Sequence, residues 1–329
     1  MRALCFPVCV VAVALAACVS GQDDPSTVKD LRVLGMSLEP PEVMLAGCDA
    51  QLLLNLAQSA DGGVPTLDPK LLAQLLAAAA RPLAFKTLIG DPAGGGRRLE
   101  YHLRTCVSTG DRTCGNSGEY VELSQGTTTG GELRLSILPA AQFLPDATPL
   151  MLSVLEHDTY KGLGGIRVPL VLELLSPDGQ EHIFAQKLMV YSCQLFPDRQ
   201  VNQTPILPGV SWAQETWPAD EVKQHSGRSA VALEPLDFTS LVESYSVPSL
   251  ALEEVPLVES WKINWMTTSG TMSSYSTGGT DFAGQAGRHK NSWLPDPSAT
   301  APVEVTMSFV VRDGRGGESW LTRRVHWTP

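Results

Sequence analysis

The chain has 329 residues, with 35 acidic against 24 basic side chains and a formal charge of −11. That length suggests about two domains. An acidic chain with no Lys/Arg cluster argues against nucleic acid or anionic lipid as its main partner.

A basic start, Met1-Arg2, leads into an apolar run from Ala3 to Ala17. The run has the length of a signal-peptide core and falls short of the roughly 20 residues that span a bilayer. Leu15-Ala16-Ala17-Cys18 resembles the lipobox of bacterial lipoproteins. The resemblance implies cleavage after residue 17, a diacylglycerol thioether on Cys18 and an acylated new amino terminus. Residues 1–17 then form the signal peptide, and the lipid at Cys18 is the expected membrane contact; two or more acyl chains anchor stably where one does not. Val19 after the cysteine, in place of aspartate, implies the outer membrane by the same resemblance. An ordinary cleaved secretory signal is the plainer alternative. Residues 18–27, with Gly21, Gln22, Asp23, Asp24 and Pro25, are expected to be a flexible tether. Without residues 1–17 the chain has 312 residues and a charge of −12, because only Arg2 is lost.

Cys5 and Cys9 leave with the signal. Cys48, Cys106, Cys114 and Cys193 remain, and four cysteines in an exported chain read as two disulfides with three connectivities. Cys106 and Cys114 flank a short polar loop that suits a hairpin bridge, which pairs Cys48 with Cys193. A crosslink closing that longer loop is worth up to ~4–5 kcal/mol in the chain-entropy model. No C-x-x-C or close histidine pair offers a zinc site.

Residues 28–195 read as a first β domain. Val28 to Val43 gives a half-regular strand ended by Pro40-Pro41, and Gln51 to Leu56 a partly buried second strand. The Leu-Arg-Val strand, the Glu-Pro-Pro-Glu-Val break and a following glycine resemble the opening of Ig-like domains in myxobacterial-type lipoproteins. Over 68–81, Asp68 can cap, Pro69 suits a first turn, and Leu71, Leu72, Leu75, Leu76 and Ala79 share a face, so a helical insertion is expected. Strand signals follow at 83–89, 99–106, 120–123, 132–138, 150–156, 166–175 and 183–193, separated by Gly/Pro turns. Gly94-Gly95-Gly96 lacks the Lys-Ser/Thr of a phosphate loop and reads as one of those turns. Many short strands with such punctuation indicate sandwiches rather than an α/β fold.

Residues 196–208 are polar and proline-bearing, a linker to a second domain at 209–329. There Trp261, Ile263 and Trp265 alternate with Lys262 and Asn264, and Val303, Val305, Met307, Phe309 and Val311 with polar neighbours, a period of two. Asp313 to Gly317 forms a turn, and Glu318 to Trp327 the returning strand. These segments, with Asn291-Ser292-Trp293-Leu294-Pro295 between them, resemble an Ig-like module of the PKD type. The stretch 213–256 departs from that pattern as a long, loop-rich insertion. The expected fold is therefore mainly β, two Ig-like antiparallel β-sandwich domains, the first with a short helical insertion.

Candidate chemistry is sparse. His102, His157, His182, His225, His289 and His326 show no metal-ligand spacing, and no Gly-x-Ser-x-Gly elbow occurs. Glu156, His157, Asp158 and Asp281 read as solvated loop groups rather than an acid–base set. Asp281, Asp296 and Asp313 lack the spacing of a calcium loop. No metal or cofactor is expected. Trp261 and Trp265 belong to a core, whereas Trp212, Trp217 and Trp293 fall in apparent loops, where indoles can stack on sugars or cover the sandwich ends. The leading expectation is a non-enzymatic envelope lipoprotein in a binding, adhesion or structural role, with envelope proteins or glycans as partners. The alternatives are a glycan-binding module using those three tryptophans and a hydrolase with a site in 213–256.

Overall fold

The computed structural model describes residues 24–45, 80–107, 120–158, 164–194, 199–237, 242–249, 253–278 and 289–329. Cys18, Cys48, Cys114, Asp281, the strand expected at 51–56 and all but Ala80 and Arg81 of the helix expected at 68–81 lie outside the described residues.

The first domain comprises β1 (Arg32–Glu39), β2 (Glu42–Leu45), β3 (Leu83–Gly90), β4 (Leu99–Cys106), β5 (Tyr120–Thr128), β6 (Gly131–Ile137), β7 (Ile166–Leu175) and β8 (His182–Cys193). One sheet has the order β1-β3-β6 and the other β2-β8-β7-β4-β5. Period-two side chains such as Leu99, Tyr101 and Leu103 of β4 and Val168, Leu170, Leu172 and Leu174 of β7 bury between the sheets. Two elements differ from the sequence reading: β2 follows the Pro40-Pro41 break at which the first strand was expected to end, and one expected strand is a helix. Residues 150–156, expected as a strand, form the helix α1 (Leu150–His157), with Pro149 before it. The run Leu-Met-Leu-Ser-Val-Leu fits period two and period 3.6 alike. Packing decides for the helix, because Leu150, Met151 and Val154 are the positions buried against the first core.

The second domain holds β9 (Val210–Trp212), β10 (Glu215–Thr216), β11 (Val222–Ser226), β12 (Val231–Pro235), β13 (Ser244–Pro248), β14 (Glu254–Val258), β15 (Lys262–Thr267), β16 (Thr271–Met272), β17 (Ser276–Gly278), β18 (Asn291–Leu294), β19 (Val303–Arg312) and β20 (Glu318–Thr328). Its sheets run β10-β9-β12-β18-β16 and β11-β20-β19-β15-β17. The stretch 213–256 is therefore not an insertion as a whole. It supplies β10, β11 and β12 to the sandwich, and only the separate hairpin β13-β14 is extra. Its polar composition misled because β11 (Val-Lys-Gln-His-Ser) is a half-exposed edge strand.

The two sandwiches repeat one wiring. A short early strand pairs in parallel with the last strand, β2 with β8 and β11 with β20. The last strand then forms a hairpin with its predecessor, which pairs with a middle strand (β7 with β4, β19 with β15). The opposing sheets share the order β1-β3-β6 and β9-β12-β18. This arrangement is that of Ig-like sandwiches.

The sandwiches dock on each other. The outward face of β15, β19 and β20 carries Met266, Val310 and Trp320, which pack against Val28, Leu34 and Leu88. Gly35 makes that contact possible. A Cβ there would lie 2.9 Å from Glu318 Oε1 and 3.0 Å from the Trp320 ring, so a side chain would force Glu318 or the Trp320 ring to shift.

The start of the described chain also differs from expectation. Residues 24–27 are the end of the segment read as a free tether, yet Ser26 and Thr27 are buried on the second domain. Thr27 pairs in parallel with Thr267, its hydroxyl donates to the Gly270 carbonyl at 2.7 Å, and Ser26 Oγ accepts the Met272 N–H at 2.9 Å. Short hydroxyl side chains can complete a neighbouring strand's backbone bonds, which composition alone does not reveal. Residues 199–208 are likewise engaged, with Asn202 and Leu207 buried.

Candidate functional site

Beside the docked seam opens a cleft of about 850 Å³. Val28, Leu34, Leu88, Met266 and Trp320 give it an apolar lining. Thr129, Gly130 and Glu132 of the first domain and Thr267, Thr268, Glu304, Thr306, Ser308 and Thr322 of the second add polar groups. The period-two pleat explains the composition, since alternate residues at the ends of β15, β19 and β20 turn away from the second core towards the first domain. The described lining holds three carboxylates, Asp91, Glu132 and Glu304, and no basic residue. Each carboxylate is engaged. Asp91 takes two bonds from Arg97 at 2.9 and 3.0 Å, Glu132 accepts the Trp320 indole N–H at 3.2 Å, and Glu304 meets His326 at 2.5 Å. Such a lining disfavours an anion and leaves hydroxyls, backbone groups and an indole for a neutral ligand.

At the far end of the seam a buried ionic latch holds the domains. Glu42 of β2 accepts from Arg199 at 3.0 Å, from Arg315 at 3.2 Å, from the Asn202 N–H at 2.8 Å and from the Ser192 hydroxyl. Arg315 also reaches Glu243 and Glu259, each at 3.4 Å, and its guanidinium lies 4.2 Å from the Tyr245 ring centroid. The turn presenting Arg315 is built by Asp313, whose carboxylate accepts the N–H groups of Arg315, Gly316 and Gly317 at 2.8, 2.9 and 2.8 Å. Gly314 and Gly316 adopt positive φ there. A second ionic knot lies nearer the cleft. Glu318 accepts from the Met36 N–H at 3.0 Å, from Lys187 at 3.0 Å and from Arg312 at 2.8 Å.

Burial pushes the Glu259 carboxyl above the usual carboxylate range, against the opposing pull of the Trp261 indole bond and Arg315; Asp313 and Glu243 add to the rise. A carboxyl whose folded pKa exceeds its unfolded one binds its proton more tightly in the folded state. Its stabilising contribution is therefore complete below the unfolded pKa and is lost as pH rises through the folded pKa. Between about pH 4 and about pH 8, the parent should lose more stability on going to higher pH than Glu259→Gln does. Denaturant midpoints of both proteins across that window check the difference.

The expected site residues separate on the structure. Trp212, Trp217 and Trp293 are not exposed loop indoles. They are 8%, 1% and 0% exposed and pack edge-on or tilted against one another, with Trp212 4.8 Å from Trp217 and 5.9 Å from Trp293. Trp212 lies in β9 and Trp293 in β18, where short strands between turn residues had read as loops. Trp261 and Trp265 are core residues, as expected. The histidines stay apart. His102 meets Glu100 and Glu122, His182 meets Glu173, and His157 and His225 meet the carbonyls of Ser153 and Ser229. Asp296 is turned on Ser298. Among the described residues no group of three or more His, Cys, Asp or Glu could hold a metal ion, and no helix is long and apolar enough to cross a membrane.

Neither Cys106 nor Cys193 is a free thiol. The register keeps them from each other, because Thr105 pairs with Leu170, and Leu170 with Lys187, six residues short of Cys193 and a strand further away. That exceeds the roughly 7 Å between Cα atoms that a disulfide bridges. Sequence reasoning missed the seam altogether. Its signal was there: Met266, Val310 and Trp320 are apolar residues on the face where period two calls for polar ones.

No family model and no curated protein matches the chain. Among solved structures, it is similar to the fibronectin(III)-like modules of Clostridium thermocellum CbhA, with 8% identity over 76% of this chain and 86% of that one, at a TM-score of 0.20. The YadV chaperone is 9% identical over 88% and 98%, with a TM-score of 0.25. The tandem V-type regions of VCBP3, a v-region-containing chitin binding protein, are 9% identical over 89% and 99%, also at 0.25.

Proposed function

We propose that the protein is a non-enzymatic lipoprotein of the cell envelope, held at the outer membrane through lipid on Cys18, that works by binding a neutral ligand in the interdomain cleft. The observation that carries this reading is the cleft itself, where two docked sandwiches expose an indole and a row of hydroxyls with no basic residue in the described lining. The ionic latch and the Glu318 knot support it, since they fix the domains and so fix the shape of the cleft. Cys106 with Cys114 and Cys48 with Cys193 are the disulfides that fit this reading, in keeping with the register that separates Cys106 from Cys193.

A glycan is the ligand class that the lining favours, through Trp320 rather than through the buried trio. Trp320→Ala is expected to weaken neutral-glycan binding by about tenfold or more, the loss of one aromatic anchor, while Trp320→Phe stays near the parent. Titration of the folded proteins with neutral oligosaccharides checks this. Equal affinity in all three would move glycan recognition off the cleft, and failure of any neutral glycan to bind would leave envelope proteins as the partner class.

A further inference from the structure

The first described residues fix where the chain leaves the body. Thr27 N–H closes a turn on the Asp24 carbonyl at 2.9 Å. Ser26 and Val28 then make backbone bonds to the second domain: Thr267 N–H donates to the Ser26 carbonyl and Val28 N–H to the Thr267 carbonyl, each at 2.8 Å. With the two hydroxyl bonds to Gly270 and Met272, the point of departure is held on the turn after β15. From Cys18 to Asp24 is six residue steps, which covalent geometry limits to ~22 Å. The latch lies at the other end of the sheet. Thr267 pairs with Met307, and β19 runs five residues on to Arg312, ~17 Å, before the turn bearing Arg315. Tyr245 stacks on that arginine and carries the β13-β14 hairpin with it. The ~22 Å limit on the span from Cys18 to Asp24 is close to the length of β19 with its turn, so the lipid lies within about one long strand of the Thr27 end.

We propose that the protein sits on the bilayer by the end that carries Thr27, Gly270 and Asp296, with the interdomain cleft beside the lipid headgroups and the Arg315 latch and its hairpin directed away; this rests on the lipid attachment at Cys18 proposed above. Val28 and Thr267 belong both to the docked segment and to the cleft wall. The cleft therefore begins one residue from the anchoring turn and meets ligands presented at the membrane surface.

The test uses the full-length lipidated protein in phosphatidylcholine vesicles with an energy-transfer acceptor on a fraction of the headgroups. A donor dye is attached through an azido side chain at Pro297, beside Gly270, or at Glu253, on the hairpin. Stronger loss of donor emission at Pro297 than at Glu253 is expected. A flexible insert of about twenty Gly and Ser residues between Gln22 and Asp23 should shrink that difference. Equal or stronger loss at Glu253 in the lipidated protein overturns the orientation while leaving the anchor in place. Absence of palmitate incorporation into the parent, with Cys18→Ser no freer of membranes than the parent, removes the anchor and the orientation with it.

Discussion

Glu42→Ala is expected to lower the unfolding free energy by about 3–5 kcal/mol, the effect of removing one partner from a buried ion pair. The side chain is 5% exposed and faces Arg199, itself 6% exposed, so its loss leaves a nearly buried guanidinium with the Cys193 carbonyl but no counter-charge. Burial, joined by the like charge of Arg315, holds the Arg199 pKa below its ordinary value against the opposing pull of Glu42. Arg315 loses a contact too, but it retains Glu243 and Glu259. Glu42→Gln should fall between parent and alanine, because it can still accept from the Asn202 N–H. Combining Glu42→Ala with Arg199→Met should recover much of the loss, since an apolar pair replaces a broken ionic one. Denaturant unfolding of the four proteins reads these differences. A Glu42→Ala protein within about 1 kcal/mol of the parent would mean that the network is screened like a surface pair, and the latch would then hold nothing.

The sandwich class was legible because it rests on local pattern. Period two in β4, β7, β15 and β19 and the Gly/Pro turns between strands are properties of neighbouring residues, and the structure places β4 and β7 at the limits read from sequence. Three features were illegible for physical reasons. A short apolar run such as 150–155 satisfies both periods until packing chooses one. The early strands β9, β10 and β11 are three, two and five residues long, too short for periodicity to rise above the surrounding polar residues. The seam depends on residues hundreds of positions apart, as in the bonds from Arg312 to the Leu34 carbonyl and from Met36 N–H to Glu318. Glu42, Arg199 and Arg315 look like ordinary surface charges in sequence. Only the docking of two domains removes their water and makes a site of them.

Trp293→Ala is expected to destabilise the second domain by about 3–5 kcal/mol, the range for a buried aromatic truncated to alanine. The indole is fully buried in β18, where its strand pairs with both β12 and β16. Trp212, His225 and Trp327 surround its ring, at centroid separations of 5.9, 5.7 and 6.1 Å. Its Nε1–H donates to the Ser269 carbonyl at 2.9 Å, across a turn whose Gly270 has φ +75° and leaves no room for a Cβ against that nitrogen. Truncation therefore opens a cavity between the sheets and also frees the turn that receives Thr27. Refilling is poor, because the neighbours are rigid rings held by their own strands. The measurement that separates this from a ligand-binding role pairs denaturation midpoints with affinity of the folded fraction. Core function predicts a large fall in midpoint and unchanged affinity. A Trp293→Ala protein that kept its midpoint while losing neutral-glycan binding would return that indole to the surface and shift recognition from the cleft to the end of the second sandwich.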